Sequence, residues 1–309
     1  MLASRPNIGS TRGSAVIKRL GLSILVATTL YVTSRIGNVS RRSSSDEDKY
    51  VLRSSPIYDV SPTLPVAGFT ELPAGWNHIA VYVGDKTSLP GNDPAKLWLS
   101  QAHQDEIIVD LIGESGYFVD LAANDAVSLS NTLALERRGW NGLCVEPNPA
   151  YWYGLAHRNC TLVGALLGAT NGEKVPVQFR GAFGGMAGLI NNPMATYLKI
   201  PDAPVELRYT AAISTVLQHF KVPETIDYFS LDVEGAEYLI MQHFPFETYQ
   251  IRVLTVERPS AELRILLGRH GFVFLKMLAT FGEELWAHKS MGLTPEHPKI
   301  AKLETVSGV

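Results

Sequence analysis

The sequence predicts a doubly wound α/β domain on a mostly parallel sheet, and three observations point there. Residues 117–148, YFVDLAANDAVSLSNTLALERRGWNGLCVEPN, read as strand, tight turn, helix and strand, with Asp120 and Glu146 closing the two strands. Apolar runs alternate with helical patterns again from residue 211 to residue 288, as successive βαβ crossovers do. At 309 residues and 46% hydrophobic content, the chain can bury one substantial core.

Taken in chain order, the N-terminal segment stands apart. Residues 1–39 carry Arg5, Arg12, Lys18, Arg19 and Arg35, and no acid. Between Arg19 and Arg35 lies the uncharged run LGLSILVATTLYVTS. It is short for a full bilayer span of about 20 apolar residues. It suits a signal-anchor with Lys18, Arg19 and Arg35 snorkelling, the apolar part of a cleaved signal, or an organellar transit peptide. The leading expectation is a single-pass anchor in the ER or Golgi; the alternative is a mitochondrion or another organelle. Residues 40–75, beginning SRRSSSDEDK and continuing rich in Pro, Ser and Gly, read as a flexible linker.

The domain proper is expected over residues 76–300, with residues 301–309 a tail. Residues 78–83 suggest a short strand, and Asp93-Pro94 a helix start. Leu97, Ile107, Ile108 and Leu111 suggest helical segments before the first strand. After it, Val127, Leu129, Leu133 and Leu135 mark a helix. Residues 149–158 read as a further helix and residues 160–167 as a third strand. Residues 168–210, with the glycine-rich GAFGGMAG, break the alternation. That is too long for an ordinary connection of about 2–6 residues; it reads as an inserted hairpin or lid, or as a tolerated surface excursion. Helix 211–220, strand 226–231, helix 236–243, strand 251–256 and helix 261–270 follow. Gly271 closes that last helix, and strands at 272–277 and 284–288 end the domain.

Charge and cysteines exclude some functions. The net charge of −3 leaves no basic excess for a nucleic acid. Cys144 and Cys160 are the two cysteines. In neighbouring parallel strands they would be offset by about 7–10 Å, beyond disulfide reach, so they read as two buried small hydrophobes. No metal site is expected, because Asp232 and Glu234 lack a local third ligand.

The first βαβ unit carries the chemistry. Its small residues, Ala122 to Ala126, let backbone approach a ligand, and the acid ending the second strand can accept hydrogen bonds from ribose hydroxyls. SQAHQDE (100–106), FVDLAANDA (118–126), CVEPNP (144–149), IDYFSLDVEGAE (226–237) and VLTVERP (253–259) together resemble the FkbM-type family of S-adenosylmethionine-dependent methyltransferases. The resemblance covers about residues 97–290. It implies the class I, Rossmann-like methyltransferase sheet of seven strands with the last antiparallel, and methyl transfer to a hydroxyl of a sugar or other small molecule. It places Asp120 near the methionine part of S-adenosylmethionine, Ala122 and Asn124 in the loop beneath it, and Glu146 on the ribose. Asp232 and Glu234 would flank the transferred methyl as the catalytic pair. Ala122 and Ala126 stand where the family carries glycines, which removes the positive-φ option and narrows the pocket.

Physically, the sulfonium is already activated, so alignment of an acceptor oxygen supplies most of the acceleration. Asp232, Glu234 and Glu257 are candidate bases, as are His219 and His243. The competing structural reading makes Asp232 and Glu234 helix caps, the histidines surface residues, Gln104-Asp105-Glu106 an ordered approach to the first strand, and Trp140 and Trp152 packing. The expected partner is a small-molecule or glycan acceptor, with the membrane engaged through the N-terminal segment. A nicotinamide oxidoreductase is disfavoured because no G-x-G-x-x-G opens the first helix. The alternative from another class is a catalytically inactive methyltransferase-like binding or trafficking protein of the secretory pathway.

Overall fold

A computed structural model describes residues 80–82, 93–180, 183–189 and 204–307. The expected anchor (1–39) and linker (40–75) lie outside the described residues. Among the described residues no helix is long and apolar enough to cross a membrane.

The strands are β1 (Ala80–Tyr82), β2 (Tyr117–Leu121), β3 (Asn141–Val145), β4 (Thr161–Gly164), β5 (Leu166–Gly168), β6 (Lys174–Arg180), β7 (Phe183–Met186), β8 (Glu206–Ala212), β9 (Thr225–Leu231), β10 (Gln250–Glu257), β11 (Phe272–Met277) and β12 (Glu283–His288). The helices are α1 (Gln104–Ile112), α2 (Leu133–Glu136), α3 (Pro149–Leu155), α4 (Ile213–His219), α5 (Glu237–Met241), α6 (Ala261–Arg269) and α7 (Pro298–Ala301).

The main sheet runs β1-β4-β3-β2-β9-β10-β12-β11. Strands β4, β3, β2, β9 and β10 are parallel, whereas β12 is antiparallel to both β10 and β11. These are the expected seven strands with the last, β12, antiparallel, and one further edge strand, β1, antiparallel to β4. From β2 the chain winds outward through β3 and β4, and from β9 it winds the other way through β10. The reversal opens a crevice at the carboxyl ends of β2 and β9, where ligands gather in such sheets.

Side chains alternate across each strand, and both faces are covered. Val119, Leu121, Val145, Phe229, Leu231 and Leu254 pack against Val216 and Leu217 of α4, Ile240 of α5 and Leu263 of α6. Phe118, Cys144, Leu162, Tyr228 and Leu285 pack on the opposite face against Ile108 of α1, Leu135 of α2 and Leu155 of α3. Trp140 is packing, as expected; it is buried and its Nε1 donates to the Gly113 carbonyl at 3.3 Å.

The structure corrects three expectations. The helix after β2 shrinks to Leu133–Glu136. The Asp125 Oδ1 accepts the amides of Val127 and Ser128, and the Ser130 Oγ accepts that of Leu133, so short polar side chains take the amides a helix would use. The expected third strand divides at Ala165 into β4 and β5, which join different sheets. β5 belongs to a second, four-stranded sheet, β5-β8-β6-β7, which contains the described part of the 168–210 insertion.

The third correction is the cysteine pair. Cys144 and Cys160 form a disulfide with Cα atoms 5.9 Å apart. Cys160 is not in the strand; it sits in the turn before β4, where the Glu136 carboxylate accepts the amides of Asn159 and Cys160. That bend draws Cys160 toward Cys144 and removes the offset a fully extended strand would impose.

Candidate active site at the carboxyl ends of the parallel strands

Asp120 lies in β2, Glu146 directly follows β3, and Asp232 directly follows β9. All three reach the same edge of the sheet: Asp120 pairs in register with Cys144 of β3 and Ser230 of β9, two residues before Glu146 and Asp232, and both carboxyls help to raise the Glu146 pKa. The larger cause is burial, which carries Glu146 from 4.5 to about 7. Its Oε2 accepts the Asn124 amide at 2.8 Å and its Oε1 the Asn148 amide at 2.7 Å. The residue expected on the ribose therefore also braces the loop expected beneath the cofactor. Trp152 is packed behind it, with Nε1 donating to the Glu146 carbonyl at 2.7 Å.

The loop itself overturns one expectation. Ala122 adopts φ 56° and Asn124 φ 53°, so the left-handed backbone is kept although Ala122 is not glycine. An alanine there costs about 1–2 kcal/mol. Glu234 (φ 55°) and Arg258 (φ 48°) repeat that positive φ at the ends of β9 and β10. Strained backbone concentrated at one sheet edge is characteristic of functional sites.

Beneath the loop, Asp120 is held by residues the sequence did not mark. The Thr132 hydroxyl donates to Asp120 Oδ2 at 2.6 Å and accepts from Arg158 Nη2 at 2.8 Å. Arg158 is buried and also pairs with Glu136 at 2.8 Å. On the other side Ser230 hydrogen-bonds Asp120, and Asn131 Nδ2 donates to Ser230 Oγ at 3.0 Å. Burial raises the Asp120 pKa against the lowering effect of these hydroxyls and Arg158.

A second group of acids gathers at the ends of β9, β10 and β12. Asp232 and Glu257 hydrogen-bond carboxyl to carboxyl, and burial followed by neighbouring carboxylates raises Asp232. Glu283 is buried, is raised to about 8 by burial and then by Asp232, and bonds to Gln104 and Thr255. The Arg258 guanidinium bridges Glu234 at 2.9 Å and Glu257 at 2.7 Å. The helix-cap role weighed for Asp232 and Glu234 is filled by neither: the N-cap is Ala236 with no side-chain cap, and Glu237 Oε1 accepts the amides of Val233 and Gly235 in the turn before the helix.

Asp232, Glu234 and Glu257 each offer an oxygen within 4.8 Å of the others. The local count of two carboxylates was therefore short by one, because β10 supplies the third. Arg258 already spans two of the three.

Gln104 and Asp105 do order the approach to β2. Gln104 Oε1 accepts the Ala102 amide, and Asp105 accepts the Leu99 amide and the Ser100 hydroxyl; through Glu283, Gln104 also reaches the acidic group. His219 ends α4 edge-on to Phe220, and His243 is exposed after α5. Glu283 had one sequence signal, an acid pair opening the last apolar strand. Arg158 had none.

Along the same edge, an apolar cleft beside Ala122 is lined by Leu121, Val145, Val233 and Ile240 and roofed by Gly184, Gly185 and Met186 of β7. The inserted hairpin thus reaches the crevice.

No curated protein matches the sequence. A solved structure, precorrin-6y C5,15-methyltransferase from Geobacter metallireducens GS-15, is 13% identical, with 63% of this chain and 90% of that one covered, and a TM-score of 0.32. The methyltransferase FkbM domain matches residues 120–274, from Asp120 through the LDVEGAE turn to β11. With half of its length in that match and the acids of β2, β3 and β9 on one edge, the chain belongs to the FkbM methyltransferase domain family.

Proposed function

We propose that the protein is an S-adenosylmethionine-dependent methyltransferase that methylates a hydroxyl of a sugar or other small molecule. The observation that carries this reading is the meeting of Asp120, Glu146 and Asp232 at the topological switch point. The donor set fits the cofactor. Each Glu146 oxygen keeps a second lone pair beyond its backbone contact, suited to the ribose hydroxyls, and the surrounding carboxylates suit a cation. When bound, the cofactor supplies a methyl group on an activated sulfonium.

The chain's own residues supply the rest. Glu146 orients the nucleoside, and Asp120, fixed by Thr132 and Ser230, forms the floor of the edge. The Asp232–Glu257 pair takes the proton from the acceptor hydroxyl, with Glu234 held beside it by Arg258. Burial keeps water from competing for that proton.

The buried disulfide supports assembly in an oxidising compartment. With the basic, apolar N-terminus, this favours a single-pass protein of the ER or Golgi acting on a glycan or similar hydroxylated acceptor. A second reading, a methyltransferase-like binding or trafficking protein without activity, is favoured by the Ala122 methyl and by the β7 hairpin that roofs the cleft. Calorimetric titration of the full-length protein with S-adenosylhomocysteine separates the two. Micromolar binding supports the enzyme, and no heat at millimolar ligand leaves the binding protein.

A further inference from the structure

Among the described residues, two buried side-chain oxygens have no hydrogen-bond partner: Asn131 Oδ1 and Asp232 Oδ1. Buried acceptors without partners cost about 1–3 kcal/mol each and call for an explanation. The orientation of the Asn131 amide is set by its neighbours. Arg158 only donates, so the Thr132 hydroxyl accepts from it and passes its own proton to Asp120. Ser230 also bonds Asp120, and Asn131 Nδ2 donates to Ser230. The chain of donors therefore converges on Asp120, and the Asn131 carbonyl oxygen is left on the side away from Ser230. Ser230 and Asp232 are two residues apart on one face of β9 and its extension, about 6–7 Å along the strand. Asn131 is tied to Ser230 near the carboxyl end of β9 and Asp232 directly follows that strand, so both orphaned oxygens belong to the end of the sheet where the crevice opens.

The groups at that end of the sheet are acceptors or acids: Asp120, Glu146, Asp232 and the Asn131 carbonyl. Arg258 is engaged with Glu234 and Glu257 on the β10 side. Such a setting favours a donor that is also a cation. We propose that Asn131 is a ligand-binding residue whose carbonyl oxygen, together with Asp232, accepts hydrogen bonds from the α-ammonium of the amino-acid end of the cofactor. This rests on the methyltransferase reading and adds to it a residue outside the recognised motif segments. An ammonium has three donors to distribute, enough for both oxygens.

The test compares two ligands in the full-length protein: S-adenosylhomocysteine, and 5′-methylthioadenosine, which keeps the nucleoside and thioether but lacks the amino-acid end. Asn131→Ala should weaken S-adenosylhomocysteine by about five- to thirty-fold and leave 5′-methylthioadenosine within about twofold. Asn131→Asp, which keeps an acceptor oxygen and adds charge, should hold or raise the preference for S-adenosylhomocysteine. Equal weakening of both ligands by Asn131→Ala, or of neither, overturns the assignment. Should that variant melt at the assay temperature, the Asn131→Asp preference decides, and its loss overturns the assignment. A wild-type protein that binds neither ligand instead brings down the methyltransferase reading itself.

Discussion

Glu257 stands directly opposite Glu283 across the antiparallel β10–β12 pair. Like charges in that position destabilise a sheet, and this pair is joined by Asp232 from β9. Burial is the first cause of the raised pKa at each, to about 7 for Glu257 and about 8 for Glu283. The unfolded chain ionises these groups near 4.5. The folded protein therefore binds more protons between pH 4.5 and about 8, and its stability falls as pH rises through that window. The slope reaches about 1.4 kcal/mol per pH unit for each proton held. Urea midpoints at pH 5.5, 7 and 8.5 should decline in that order, and Glu283→Gln should flatten the decline. Midpoints that climb instead would remove the buried acids from the balance.

Glu146 has two tasks, and one substitution separates them. Glu146→Ala leaves the Asn124 and Asn148 amides without their acceptor and removes the proposed ribose contact. S-adenosylhomocysteine binding should weaken by about 1–3 kcal/mol. Calorimetry giving wild-type affinity would take Glu146 out of the site.

Ala122 holds a backbone conformation that glycine adopts at no steric cost. Ala122→Gly should raise stability by about 0.5–1 kcal/mol, the relief of left-handed strain exceeding the added freedom of the unfolded chain. It also removes a methyl group from the cleft beneath β7, so cofactor affinity should hold or improve. Denaturation showing a loss of stability would mean that the alanine methyl contributes more through packing than it costs in strain.

The Cys144–Cys160 bridge ties the strand that ends at Glu146 to the turn that carries Arg158. With a sequence separation of 16, Cys160→Ala should cost about 3 kcal/mol. Alkylation of the unfolded, unreduced protein followed by mass measurement should find neither thiol free. A fully alkylated product would contradict the bridge and the oxidising compartment inferred from it.

Several features were legible from local pattern. The strands carrying Asp120, Glu146, Asp232 and Glu257 announce themselves because a buried parallel strand is a short apolar run, and an acid at its end breaks that run visibly. The LDVEGAE turn was equally readable, as was the interruption after residue 168. Leu129, Leu133 and Leu135 keep helical spacing between residues 127 and 135, yet Asp125 and Ser130 claim amides a helix needs there.

Which side chains meet is a different matter. Glu283 faces Glu257 because β12 returns antiparallel beside β10, and Arg158 reaches Asp120 through Thr132 because β2, β3 and β4 bring three separate turns together. Cys160 meets Cys144 because its turn bends toward Glu136 before the strand begins. Spacing along a chain encodes the period of each element and the character of its ends. Register and strand order bring together residues tens to more than a hundred positions apart, and the packing of the whole sheet sets those.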